Sequence, residues 1–220
     1  MLYRILLGTK NMFDFIADLD GYFCEKYENY DKICGLPNYK MPKMQTSEVR
    51  ADGRTYAYTL PANTMRLALQ EGKEELLKAL KVRLTDKTFS FSFRTVGLFG
   101  RIKNRTSKYG TAKWINATLK KYNATSDEAF ALLTVDKEIW DGLVRGKFLP
   151  TKNLVFSLAL TIGMTEEDMH DLLAVSGYEM DFTVEKDVVI SYIVHNKIFN
   201  IEMMKAALDE YKIDNLFIKW

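Results

Sequence analysis

Residues 135–180 read VDKEIWDGLVRGKFLPTKNLVFSLALTIGMTEEDMHDLLAVSGYEM. Short apolar-periodic stretches alternate here with helix start and stop signals. Asp136, Thr151 and Thr165 (with Asp168 three residues on) each stand just before such a stretch. A side-chain oxygen at that position accepts one of the orphan amides of the first helical turn. Gly146, Gly163 and Gly177 fall where the helices should stop, because glycine takes the left-handed backbone that ends a helix. The same punctuation continues outward. Thr125 with Glu128 makes a capping box, and Thr183 and Asn200 precede two more periodic stretches. The spacing predicts six helices of roughly 8–14 residues joined by short turns. Such a chain buries its apolar stripes only by folding into a helical bundle over residues 124–220.

Upstream the pattern is mixed. Residues 2–7 read as a short strand. From Asn11, apolar residues recur at Phe13, Ile16, Leu19, Phe23, Tyr27 and Tyr30, which is helical spacing, with Asp14, Asp18, Asp20, Glu25 and Glu28 outside. Residues 35–53 hold Gly35, Pro37, Pro42 and Gly53 without a period and read as a loop. A strand is expected at 54–60 and a helical region from Asn63 to about Leu84. Thr88 to Phe93 alternates strictly, placing Phe89, Phe91 and Phe93 on one face of a strand. Short helices are expected at 96–104 and 111–122. The fold class is therefore α+β and predominantly α: a mixed domain over 1–123 with a short sheet, then the bundle over 124–220.

The pattern P-x-K…A-L-A-x-x-L…L-L…A-G-Y resembles the helix-turn-helix modules of lambda-repressor-like (Xre-type) regulators, in a divergent branch with two extra C-terminal helices. The matching positions are Pro150, Lys152, Leu158, Ala159, Leu160, Leu172, Leu173, Gly177 and Tyr178. The resemblance covers the last 95 or so residues, under half of the chain. It implies a bacterial or phage regulatory or conflict-system protein, with a recognition helix at Asp136 to Val144. A helix that reads base edges needs donors on its exposed face and no uncompensated acids near phosphates. Here Asp136, Glu138 and Asp141 offset Lys137, Arg145 and Lys147. Carboxylates desolvated against phosphate also forgo counterion release. Resemblance and residues together leave two uses open: reading an operator, or a scaffold whose DNA face has been turned to another purpose.

Charge points elsewhere. The chain carries a net +2 over 220 residues, yet from Lys87 to Ser126 there is no Asp or Glu. Lys87, Arg94, Arg101, Lys103, Arg105, Lys108, Lys113, Lys120 and Lys121 form a basic block in an otherwise acidic frame. Such asymmetry points to an anionic partner. Phe99, Tyr109 and Trp114 are interleaved with these cations, the mixture that nucleic-acid sites use for stacking beside phosphate contacts. The bland reading is a solvated basic face over an aromatic core, since Trp114, Ile115 and Leu119 also fall at core spacing. The candidate nucleic-acid residues are Arg94, Arg101, Lys103, Arg105, Lys108, Lys113, Trp114, Lys120 and Lys121, with Lys137, Arg145 and Lys147 around the recognition helix.

Other functions find no foothold. No Walker loop, GxSxG, GxGxxG or HExxH is present, and no catalytic residue, cofactor or metal is assigned. His170 sits among Glu166, Glu167, Asp168 and Asp171, which read as an acidic helix start favoured by the dipole. Cys24 and Cys34 are read as reduced thiols of a cytoplasmic protein. The longest nearly apolar run, 154–164, is far short of the ~20 residues that a spanning helix needs. The expected function is non-catalytic regulation by nucleic-acid binding through the basic segment. The alternative is a protein-interaction or inhibitor module on a repurposed helix-turn-helix scaffold.

Overall fold

A computed structural model of the chain describes residues 12–40, 45–59, 72–86 and 92–220. The expected strand at 2–7, the strand positions 88–91 and the start of the helix from Asn63 lie outside the described residues. The fold is predominantly α with small sheets, of the α+β class. Two compact units are present, Met1–Leu84 with Phe182–Val188, and Thr85–Asp181 with Val189–Trp220.

In the first unit, α1 (Met12–Lys26) buries Phe15, Leu19 and Phe23 on one stripe, and α3 (Lys73–Arg83) buries Leu76, Leu77 and Leu80. The two helices pack together, and Lys81 bonds Asp20 across them at 2.7 Å. The helical spacing up to Tyr30 breaks after Lys26, and a separate short helix α2 (Tyr30–Cys34) starts from the Asn29 cap. Residues 35–53, expected as loop, contain β1 (Gln45–Val49), paired antiparallel with β2 (Thr55–Thr59). The hairpin turn explains the pairing: Gly53 takes φ +73, and Asp52 accepts from the Arg54 amide and the Tyr56 hydroxyl. Residues 182–188 join this unit through the Glu28 amide on the Phe182 carbonyl and through Glu185, which accepts from Tyr27 and Lys32.

The second unit opens with β3 (Arg94–Thr95), α4 (Leu98–Thr106) and α5 (Thr111–Lys121), then α6 (Ser126–Ala131) and α7 (Lys137–Val144). After β4 (Phe148–Leu149), antiparallel to β3, come α8 (Lys152–Ile162), α9 (Glu166–Ser176), most of α10 (Glu185–His195) and α11 (Ile201–Glu210). All six helices expected after residue 124 are present. The caps work as the side chains require. Thr125 and Glu128 close a capping box, and Thr151, Thr165 and Asn200 accept from the third amide of their helices. Gly163 and Gly177 end α8 and α9 at φ +70 and +80. Asp136 makes no side-chain cap bond, and α10 begins two residues after Thr183. Trp140, Leu143, Leu154, Phe156, Leu160, Met169, Leu172 and Leu173 fill the core.

This division differs from the boundary expected between residues 123 and 124. Residues 85–123 belong with the bundle because α5 packs against α7 and α9 and buries Ala112, Ile115 and Leu119. A start signal at Thr125 marks a helix boundary; where a core ends is set by which stripes meet.

Candidate nucleic-acid interface

Nine residues of α4 decide the geometry of the basic segment. At 100° per residue, Leu98, Ile102 and Thr106 share one face of the helix, with Phe99 beside them. Asn104 lies opposite and is buried. The apolar side chains are therefore on the solvent side: Leu98 is 74% exposed, Phe99 91% and Ile102 64%. Lys103 flanks this stripe on one side, Arg101 and Arg105 on the other. The acid-free stretch continues into the turn at 107–110, where Tyr109 is 69% exposed and Lys108 lies 4.8 Å from its ring centroid.

Asn104 holds this arrangement in place. Its side-chain oxygen accepts from the Thr111 hydroxyl at 2.9 Å and the Ala112 amide at 3.3 Å, pinning α4 to the start of α5. Its amide nitrogen donates to the Gly146 carbonyl. Gly110 permits the close approach: a Cβ there would stand 1.9 Å from the Asn104 carbonyl oxygen. The turn after α7 sits against the same helix. A Cβ on Gly146 would lie 3.3 Å from Arg105 Cγ and 3.4 Å from the Arg101 carbonyl, and the Lys147 carbonyl accepts from the Val96 amide. The 145–147 turn thereby brings Arg145 and Lys147 to the flank of α4 that carries Arg101 and Arg105.

The remaining candidates separate. Arg94 lines a cavity of about 180 Å3 with Lys152, Tyr178 and the Thr151 cap, and donates to the Ser176 carbonyl. Arg101 is partly committed, with Nε donating to the Val96 carbonyl at 2.9 Å. Lys113 donates to the Thr106 carbonyl, and Trp114 donates its indole N–H to the Lys108 carbonyl at 2.6 Å. Trp114 thus braces the 107–110 turn, half-buried. Lys121 is spent on Asp168 at 2.7 Å, a bond that holds its ammonium pKa above the usual lysine range, whereas Lys120 stays exposed. On α7, Lys137 is paired with Asp141 and lies 3.9 Å from Asp127, and its hydrogen bond holds the Asp141 carboxyl below the usual range. Among the described residues, no carboxylate pairs with Lys103, Arg105, Lys108, Lys113, Lys120, Arg145 or Lys147.

No family model, curated protein or solved structure matches the chain.

The arrangement can do two things chemically: offer cations to a polyanion and offer an apolar, aromatic surface between them. Asn104, Leu98 and Ile102 escape notice in the sequence. An Asn within a basic helix has no signature that separates a pin from a solvated side chain. Apolar spacing along α4 looks the same whether the stripe faces core or water. Among the described residues no group of His, Cys, Asp or Glu is placed to hold a metal, and no helix is long and apolar enough to cross a membrane. His195 lies 3.0 Å from Glu166, and His170 is exposed.

Proposed function

We propose that this chain is a non-catalytic, cytoplasmic regulatory protein that binds nucleic acid mainly through α4 and the turns at 107–110 and 145–147. The observation that carries this is the cluster of cations there: among the described residues no carboxylate pairs with Lys103, Arg105 or Lys108, and α4 and the 107–110 turn lie in a stretch without Asp or Glu to repel phosphate. The scaffold is proposed to be of the repressor-like helix-turn-helix type, with α6 and α7 as the motif. The packing of α6 on α7 and of α5 on α7 and α9 supports it. The α7 surface itself is a poor reader, since its first cation is neutralised by Asp141.

A second reading, a protein-interaction module, is favoured by Leu98 and Ile102, aliphatic side chains that offer nothing to a phosphate.

Lys103→Gln with Arg105→Gln tests the proposal, leaving Arg101 to hold Val96. In fluorescence anisotropy at several salt concentrations, the slope of log K against log salt should shrink by roughly 0.9 per lost duplex contact. Lys137→Gln should change it less. Absence of binding to both duplex and single strand at low salt would reject the nucleic-acid reading in favour of the interaction module.

A further inference from the structure

We infer that the ligand of α4 is an unstacked single strand, with Phe99 and Tyr109 as its base platforms. This inference rests on the nucleic-acid reading above and narrows it. The solvent face of α4 presents an apolar and aromatic stripe between Lys103 on one side and Arg101 and Arg105 on the other, so its complement must be both anionic and apolar. A duplex satisfies only the first condition. Its bases are stacked on one another and show in the grooves only their edges, hydrogen-bonding groups and the thymine methyl, never a base face. Leu98, Phe99 and Ile102 have no donors or acceptors for those edges and would sit unpaired beside phosphate. A single strand satisfies both, because its bases expose apolar faces while its backbone carries one charge per nucleotide.

The two most exposed aromatics of the segment are Phe99 and Tyr109 rather than Trp114. Trp114 has its N–H on the Lys108 carbonyl and is half-buried, which makes it a brace for the turn that carries Tyr109. Lys103 lies one turn from Phe99 on α4, and the Lys108 ammonium lies over one face of the Tyr109 ring, so each platform has a cation for the backbone and Tyr109 offers its other face to a base. The order of parts along the chain, aromatic then cations then aromatic, suits a strand laid across α4 and the following turn. The remaining stripe residues, Leu98 and Ile102, then pack against sugars and base faces.

The test uses the full-length chain with a labelled pyrimidine single strand and a duplex of equal length. Phe99→Ala and Tyr109→Ala should each weaken single-strand binding roughly 5- to 150-fold, the equivalent of one lost stacking contact. Duplex binding should change less than about twofold, since no base face reaches the site. Phe99→Trp should restore single-strand affinity. Both positions are exposed, so thermal unfolding of the variants should match the parent. Equal losses on duplex and single strand, or no loss on the single strand while duplex binding persists, would overturn the single-strand assignment and leave the nucleic-acid reading standing. Binding to neither would overturn both, and would be the result expected if the stripe docks on a protein.

Discussion

Asp168 shows how much one side chain can change meaning between sequence and fold. Along the chain it is the third residue after a capping Thr165. In the fold it is buried and accepts from Lys121 at 2.7 Å, from Thr165 at 2.9 Å and from the Tyr122 hydroxyl, tying the end of α5 to the start of α9. Burial is the largest single influence and opposes ionisation, but the hydrogen bonds from Lys121, Tyr122 and Thr165 together outweigh it and hold the carboxyl below its usual range. A depressed folded pKa means stability that is present in full above the unfolded value of about 3.9 and lost as pH falls through the folded one. Asp168→Asn should therefore cost ~1–3 kcal/mol near neutrality, where three donors lose their charged acceptor. The gap between parent and variant should close in acid, below about pH 4. Urea denaturation across that range measures both, and a gap that stays constant with pH would remove the charged acceptor as the cause.

At the scale of the element, α8 and α4 are opposites. Every residue of α8 from Asn153 to Leu160 is buried, so its period hardly matters and its apolar run is read correctly as a core helix. Leu160 on α8 and Leu173 on α9 are each about 1% exposed. Truncating either to Ala should destabilise the bundle by ~2–5 kcal/mol, as buried large-to-small changes do. Chemical denaturation should show it, and a loss under about half a kcal/mol for both would contradict their core placement. On α4 the same kind of residue faces water, because Asn104 and Gly100 occupy the packed side, where Gly110 lets the start of α5 approach. Helical spacing names the residues that share a stripe; which stripe is buried depends on the neighbour that arrives to cover it. For α4 the neighbours are α5 and the 145–147 turn, and they meet its polar side.

The whole molecule carries a natural pair of probes. Cys24 and Cys34 lie in the first compact unit, and Trp114, Trp140 and Trp220 in the second. Burial pushes the Cys24 thiol up to about 11, partly offset by Lys73, so it is protonated and inaccessible in the folded unit. Cys34 is only half-buried. A thiol reagent should label Cys34 first and Cys24 only as the first unit opens, because the thiolate is the nucleophile. Trp140, with no exposed surface, reports the second unit. Each unit has its own core, so the denaturant midpoint from Cys24 labelling should differ from that of tryptophan emission. Coincident midpoints would show that the chain unfolds as one.

The sequence by itself determined the predominantly helical class, the six C-terminal helices and most of their caps. Those features are local: a Thr side chain reaches an amide three residues away, and a glycine ends a helix through its own φ. The acid-free basic block was legible for the same reason, since charge is counted residue by residue. Tertiary structure alone decided where the cores divide, that Lys121 is spent on Asp168, and that Leu98, Phe99 and Ile102 face water. Each of these depends on contacts between residues distant along the chain, or on which face of a helix is covered, and no periodicity carries that information.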